Sequence, residues 1–349
     1  MPKQRIGYID ALRGLTMLLV VYSHVEFYCY NVSFKHTIFG MLFVHFRMPM
    51  FFFISGFIAY KAIYYDWKTY GNIIKKKAIV QIIPTLFFFH LLYVAMQQKP
   101  IDLILTKGLG GYWFTIALFY MFVIYFTTRL LTRNMKSHVQ DIILVVIAIT
   151  LAIIYGIGIR EGNPTWNIHP IICFDNLSKY FEFFVLGILC RKHWQKFEKF
   201  ISHDATKTFL LIGFAASSIV VWHFRFNKSS LAIMINYEFL VRYLGLLFVF
   251  AMFHNYRNFF NTNNRIANAM RYTGRHTLDI YMLHYFLLPK IPMLHSWAFQ
   301  NNMIVLEFTV TILLSILIIA GTLLISKVIR TSNFLGKYLL GAKQNKENT

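Results

Sequence analysis

Cysteines and acidic side chains are both scarce in this sequence. Its 349 residues include 3 cysteines, and 14 aspartates and glutamates stand against 35 lysines and arginines. Three cysteines are too few for a disulfide framework or a cysteine-rich metal cluster. Cys29 and Cys173 are both expected near the outward side and Cys190 near the inward side, and no disulfide is predicted between them. The sequence therefore predicts neither a disulfide-stabilised fold nor a metal site.

Linkers and soluble modules are also missing. No stretch rich in glycine, serine or proline interrupts the chain. The first apolar run is too long for a cleavable signal and has no small-residue cleavage site after it, so we expect it to be a retained span. We predict one transmembrane domain over residues 1–336, followed by a short polar cytoplasmic tail over residues 337–349.

Apolar residues are abundant. The chain is 57% hydrophobic and 18% aromatic, with a mean hydropathy of +0.51. A soluble domain cannot bury this much apolar surface. At roughly 20 residues for each span, the pattern predicts an all-α polytopic membrane bundle of about ten helices with both termini cytoplasmic. The predicted spans lie near 8–29, 38–60, 79–96, 111–128, 141–158, 177–190, 208–225, 237–254, 277–291 and 304–326.

The net charge of +21 follows the membrane topology. Basic residues cluster in alternate loops between apolar runs, as in Lys75–Lys77 and the segment that begins at Arg191, whereas the outward loops 97–105 and 160–175 are poor in them. This is the positive-inside pattern of membrane proteins. The charge therefore indicates a lipid bilayer as partner, with no nucleic acid.

The first span carries three ionisable residues, Asp10, Arg13 and His24. An ionisable group at membrane depth costs free energy unless it is paired or solvated, and it marks a functional site by default. Arg13 and His24 are 11 residues apart, which is three helical turns plus about 20°, so both leave one helix face about 16 Å apart along the axis. Asp10 lies one turn before Arg13, where it can pair with the guanidinium.

His24, Arg13 and Arg47 each have two interpretations. His24 is either a general base for a hydroxyl or a packing residue bonded to a neighbouring helix. Arg13 is either an anion site for a phosphate or pyrophosphate or the structural partner of Asp10. In the second span, Arg47 is either a snorkelling interface residue or a group that meets substrate near His24.

The sequence resembles a known family. Asp10, Arg13, Gly14 and His24, followed by MPMFFFISGF, are similar to the membrane-bound acyltransferase 3 family. The resemblance continues in family order through GYWFTIALFY from Gly110, KYFEFFVLGILC from Lys179 and GRHTLDIYMLHYFLLP from Gly274, and so covers essentially the whole chain. The opening most resembles the sugar O-acetylases, including proteins like fucose 4-O-acetylase.

The resemblance implies an O-acyltransferase of the bacterial cytoplasmic membrane. It implies transfer of an acyl group, usually acetyl from acetyl-CoA, to a hydroxyl of an envelope glycan or lipid-linked sugar, with no permanently bound cofactor. By position, His24 and Arg13 match the residues essential in the family. The element around Arg47 varies within the family, and we expect no soluble esterase-like domain of the kind that some relatives append.

Five further residues complete the candidate site. Tyr28 is either an oxyanion donor or an interface anchor, and Trp113 either lines the acceptor entrance or belongs to the aromatic belt. His284 either approaches the cavity of His24 or makes a structural hydrogen bond. Glu182 and Asp279 are countercharges for the arginines or orienters of the histidines.

Two other classes of function compete with the enzyme. A transporter would use the membrane-depth charges to bind an anionic solute, with His24 as a proton relay. A scaffold gives no reason for placing Arg13 and His24 on one face. The spacing of that pair and the ordered family elements favour the acyltransferase.

Overall fold

A computed structural model describes residues 6–33, 36–63, 65–156, 172–224, 239–291, 293 and 303–341 of the chain. The described residues form helices and contain no β-strand. In chain order the α-helices are α1 (Gly7–His24), α2 (Ile38–Ala59), α3 (Trp67–Ala95), α4 (Pro100–Lys107), α5 (Trp113–Leu131), α6 (Ser137–Ile154), α7 (Phe174–Lys192), α8 (Trp194–Ser202), α9 (Asp204–His223), α10 (Val241–Asn255), α11 (Arg257–Asn261), α12 (Arg265–Arg275), α13 (Thr277–Leu283), α14 (Ile304–Ile329) and α15 (Asn333–Leu340).

In the described part of the chain, short helical segments of other types join this series. A π-helix, Val25–Cys29, continues α1, and a 3₁₀ turn, Gly110–Tyr112, leads into α5. A second 3₁₀ turn, His284–Leu287, continues α13. Insertions of this kind in a helix often occur at functional sites.

Within the described residues, six helical segments are long and apolar enough to cross a membrane. They are Ile38–Ala59, Trp67–Ala95, Gly110–Leu131, Ser137–Ile154, Asp204–His223 and Ile304–Ile329. The chain is therefore an all-α polytopic membrane protein, as predicted. The other predicted spans coincide with α1, α7, α10 and the broken segment formed by α13 and its 3₁₀ turn. The number of ten spans and the cytoplasmic placement of both termini stay predictions.

The chain divides into two compact units. The first comprises Met1–Ile54 and His193–Leu324, and the second comprises Ser55–Lys192 and Ile325–Thr349. The predicted boundary at residue 336 stays a prediction; α15 begins before it, and residues 342–349 of the predicted tail lie outside the described part of the chain.

In the first unit, α1 is mostly buried and makes its most extensive contact with α12. Helices α9 and α10 also pack together. Apolar side chains from several of these helices form a core cluster that contains Leu19, Met41, Phe46, Phe214, Val221 and Val241. Leu19 of α1 belongs to this cluster, so α1 packs into the core of the first unit.

In the second unit, α3, α5, α6 and α7 are the main packing partners. The hydroxyls of Thr85 and Thr115 lie 2.6 Å apart and connect α3 to α5. A methyl group on Gly56 would collide with the carbonyl oxygen of Phe184. The two backbones therefore approach each other closely at Gly56.

All three cysteines are buried free thiols.

Candidate active site

Helix α1 packs closely against α12 at two glycines. Gly14 packs against the backbone of Met270 in α12, and Gly274 of the same helix packs against the backbone of Asp10. Helix α1 runs without a break from Gly7 to His24. The predicted axial separation of about 16 Å between Arg13 and His24 therefore applies to a continuous helix.

Arg13 lies where α12 leads into α13. Its Nη2 donates a hydrogen bond of 2.7 Å to the hydroxyl of Thr277. Its Nη1 lies 4.0 Å from the carboxylate of Asp10, so the predicted pair is present at the outer limit of an ion pair. The Arg13 side chain keeps 31% of its surface exposed. Thr277 is thus closer to the Arg13 guanidinium than Asp10 is. Thr277 is not among the predicted site residues.

His24, at the end of α1, meets His284. The Nδ1 atom of His24 lies 2.7 Å from the Nε2 atom of His284, although 260 residues separate them in sequence. The two ring planes differ by 6°, and the ring centroids lie 5.0 Å apart. His284 is fully buried, whereas His24 is half-buried. The structure therefore brings the two predicted histidines into one hydrogen-bonded pair.

The π-helix after His24 places Glu26 inside the protein. Glu26 is fully buried, and its Oε1 accepts a hydrogen bond of 2.5 Å from the hydroxyl of Thr37. Gly40 of α2 faces the same carboxylate, and a methyl group there would collide with it. Glu26 is absent from the predicted site, although a carboxylate in an apolar run is the signal that selects Glu182 and Asp279.

Arg47 of α2 lies near this cluster. Its charge acts on both His24 and Glu26. The ring of Tyr28 meets the ring of His24 edge to face, with centroids 5.7 Å apart. Tyr285 approaches from another direction, with its ring centroid 5.1 Å from that of His24. Two phenolic rings thus lie against the imidazole of His24, and the charge of Arg47 is close enough to act on it.

The remaining predicted residues fall into two groups. Asp279 is buried in α13, on the segment that carries Thr277 and His284. Trp113 and Glu182 belong to the second unit, where the ring of Trp113 stacks on that of Tyr180 at a centroid distance of 5.9 Å. In the described part of the chain, no three His, Cys, Asp or Glu side chains are grouped as a metal ion would require.

The arrangement can support proton transfer and anion binding. A half-buried imidazole with one nitrogen bonded to a second imidazole can exchange a proton at its other nitrogen. A partly exposed arginine on the same helix can bind a phosphate or a carboxylate.

Comparison with known proteins identifies related sequences. The family model of the acyltransferase 3 type, described as an acyltransferase domain, matches residues 6–329. The chain is similar to the inner membrane protein YcfT of Escherichia coli strain K12, with 33% identity over 87 residues, which are 22% of this chain and 24% of YcfT. The chain thus spans about a quarter of the length of this curated relative. No solved structure matches the chain significantly.

Proposed function

The chain belongs to the acyltransferase 3 family of membrane acyltransferases, and from that premise we propose that it O-acetylates a sugar. The proposed donor is acetyl-CoA, and the acceptor is a hydroxyl of a cell-envelope glycan, an exported glycan or a lipid-linked sugar. Acetyl-CoA is a substrate that is consumed in each turnover, and the proposal includes no permanently bound cofactor. The similarity to an inner membrane protein supports placement in the bacterial cytoplasmic membrane.

The observation that carries this proposal is the position of His24. Its imidazole lies at the end of α1, bonded to His284 on one side and half-buried. His24 would take the proton of the sugar hydroxyl as its oxygen attacks the thioester carbonyl. When the tetrahedral intermediate collapses, the carbon–sulfur bond breaks and the leaving thiolate receives that proton. The products are the acetyl ester and free CoA.

Arg13 is proposed to hold the polyanionic head of the donor. Its guanidinium is partly exposed, and Thr277 and Asp10 limit its movement. A planar guanidinium binds phosphate oxygens through two parallel hydrogen bonds. The separation of about 16 Å along α1 leaves room for the extended pantetheine arm between Arg13 and His24. The pair thus acts on the two ends of one long substrate.

Arg47 and Tyr28 are proposed to stabilise the oxyanion. The charge of Arg47 acts at His24, and the Tyr28 ring lies beside that imidazole. A positive charge or a phenolic donor close to the reacting carbonyl stabilises the negative oxygen that develops in the transition state. The proposal therefore assigns Arg47 to the substrate rather than to the membrane interface.

Three predicted residues have roles that rest on their positions in the sequence. Asp279 is proposed to act as a countercharge or to orient a histidine of α13 and its 3₁₀ turn. Trp113 is proposed to line the acceptor entrance, and Glu182 to serve as a countercharge. These assignments stay predictions.

A transfer assay tests the proposal. The protein is placed in lipid nanodiscs with acetyl-CoA labelled in the acetyl group and envelope polysaccharide from a strain that lacks the protein. We expect label in the polysaccharide with the wild type and a loss of at least about 100-fold with His24→Ala, as for a general base. Arg13→Gln should lower transfer mainly by raising the KM for acetyl-CoA.

Controls separate loss of chemistry from loss of folding. His138→Ala changes an exposed histidine of α6 outside the site and should leave transfer unchanged. All variants are compared by yield and size-exclusion profile. Full activity of both His24→Ala and Arg13→Gln would refute the assigned roles. Uptake of an anionic solute into proteoliposomes without covalent transfer would instead support a transporter.

Mass spectrometry identifies the acceptor. Envelope glycans from strains with and without the protein should differ by one or more acetyl masses. The glycan that loses this mass in the deletion strain is the acceptor, and its composition identifies the sugar class. Its fragment ions locate the acetylated hydroxyl.

A further inference from the structure

We propose that His284 is a positioning residue that fixes the tautomer of His24. In this arrangement the hydrogen of His24 is on Nδ1, and Nε2 is the atom that receives the proton of the acceptor hydroxyl. The inference deepens the proposed function and rests on it for its catalytic consequence. The tautomer itself can be measured independently of activity.

The hydrogen-bond partners of His284 determine its own tautomer. The Nδ1 atom of His284 lies 2.8 Å from the backbone carbonyl oxygen of Ile280. A carbonyl oxygen only accepts hydrogen bonds, so this Nδ1 must carry a hydrogen. In a neutral imidazole the other nitrogen then has a lone pair and no hydrogen. The Nε2 atom of His284 is therefore an acceptor.

The tautomer of His24 follows from this acceptor. The Nδ1 atom of His24 lies 2.7 Å from the Nε2 atom of His284, and one of the two must donate. Because His284 accepts, His24 donates from Nδ1. The Nε2 atom of neutral His24 then has a free lone pair. The carbonyl of Ile280 thus sets the proton position on His24 through His284.

The geometry of the two rings supports a strong interaction. Their planes are nearly parallel, and the centroid separation of 5.0 Å exceeds the nitrogen–nitrogen distance by about two ring radii. The rings therefore meet edge to edge in one plane, which gives a linear hydrogen bond. Full burial of His284 leaves it little freedom to rotate.

The hydrogen bond between His24 and His284 matters most after proton transfer. When His24 takes the hydroxyl proton at Nε2, it becomes an imidazolium, and its Nδ1–H bond to His284 becomes a charge-assisted hydrogen bond. His284 thus stabilises the charge that develops on the base. It also directs the Nε2 edge of His24 away from His284, so the acceptor hydroxyl must approach that opposite edge.

Paired amide substitutions at His284 test the proposal. His284→Gln places an amide near the position of Nε2, where its oxygen can accept from His24. His284→Asn has a shorter side chain whose amide lies near the position of Nδ1, and it cannot reach His24. We expect His284→Gln to keep kcat within about threefold and His284→Asn to lower it about 10- to 100-fold, as for residues that orient a functional histidine. The KM for acetyl-CoA should stay unchanged in both.

His284→Leu removes both hydrogen-bonding nitrogens and should match His284→Asn in kcat. Wild-type kcat in His284→Asn would overturn the proposal. An equal loss in His284→Gln and His284→Asn would also overturn it, because a residue that only fills space does not distinguish the two amides.

Nitrogen NMR tests the tautomer without an activity assay. The protein is labelled with ¹⁵N in its histidine rings, and the His24 signals are identified by their loss in His24→Ala. We expect the hydrogen on Nδ1 in the wild type and a mixture of tautomers in His284→Asn. A hydrogen on Nε2 in the wild type would overturn the inference. If the spectra agree but no acyl transfer is found, the proposed function fails and the assignment of the tautomer stands.

Discussion

Gly14 of α1 and Gly274 of α12 lie at the same helix contact, and neither has room for a methyl group. A methyl on Gly14 would collide with the carbonyl oxygen of Met270, and one on Gly274 would collide with that of Asp10. The colliding atoms belong to backbones, which cannot move aside as a flexible side chain can. This contact sets the distance between the helix of Arg13 and the segment that carries Thr277, so it also positions the hydrogen bond between those two side chains.

Gly14→Ala and Gly274→Ala should each destabilise the protein. Extra atoms in a close-packed contact cost about 1–3 kcal/mol, and a forced separation of α1 from α12 should also weaken transfer activity. Gly71→Ala is the matched control, because Gly71 in α3 has open space around it. Alanine there should be neutral or stabilising by up to about 1 kcal/mol. Thermal unfolding in detergent measures the difference, and equal melting temperatures for all three variants would contradict the close contact.

The anchoring of Arg13 should depend more on Thr277 than on Asp10. The bond to Thr277 is 2.7 Å long, whereas Asp10 is 4.0 Å away. A hydrogen bond to a charged group contributes about 1.5–3 kcal/mol, whereas a partly exposed ion pair contributes about 0–1 kcal/mol. We expect Thr277→Val to raise the KM for acetyl-CoA about tenfold and Asp10→Asn to raise it less.

Thr277→Ser is the control for this comparison, because it keeps the hydroxyl and should stay near the wild-type KM. Steady-state kinetics with labelled acetyl-CoA measures all three variants. A larger effect of Asp10→Asn than of Thr277→Val would favour the interpretation of Arg13 as the partner of Asp10.

The buried carboxylate of Glu26 should be needed for a stable site. Glu26→Gln keeps the size of the side chain and its hydrogen bond from Thr37 but removes the negative charge near Arg47. We expect a loss of about 1–3 kcal/mol of stability and about tenfold lower transfer, because the positive charges of Arg47 and of the His24 imidazolium would then lack this counter-charge. Thermal unfolding and the transfer assay measure the two effects.

Glu198→Gln is the matched control for Glu26→Gln. Glu198 lies on α8, is 39% exposed, and contacts His254 outside the site. Solvent replaces much of its interaction, so the substitution should leave transfer near the wild-type rate. Equal behaviour of the two variants would show that the position of Glu26 near His24 has no special effect.

Hydropathy and helical periodicity predict much of the architecture. Apolar runs indicate the membrane helices because the lipid core requires long apolar segments. The spacing of Arg13 and His24 predicts that both side chains leave one helix face, because a continuous α-helix has a fixed rotation and rise for each residue. Six segments of the described part of the chain are long and apolar enough to cross a membrane, and α1 is unbroken from Gly7 to His24.

Contacts between distant segments are harder to predict from one sequence. Thr277 is 264 residues from Arg13, and no local pattern shows that a threonine hydroxyl accepts from that guanidinium. Glu26 is different, because a carboxylate inside the first apolar run is visible in the sequence. The rule that membrane-depth charges mark functional sites would have selected it. Its burial becomes clear only through the π-helix and Thr37, which tertiary packing provides.

The ion pair between Lys192 and Asp141 should stabilise the second unit more than the pair between Lys207 and Asp204 stabilises the first. The side chains of Lys192 and Asp141 are 11% and 17% exposed and lie 2.5 Å apart, whereas Asp204 is 94% exposed. Removing one member of a largely buried pair leaves the other charge with little solvent, and Asp141→Asn should cost about 2 kcal/mol. Asp204→Asn should cause a smaller shift because water and salt already screen that carboxylate. Melting temperatures at low and high salt check this, and a larger or more salt-resistant effect of Asp204→Asn would contradict the assigned burial.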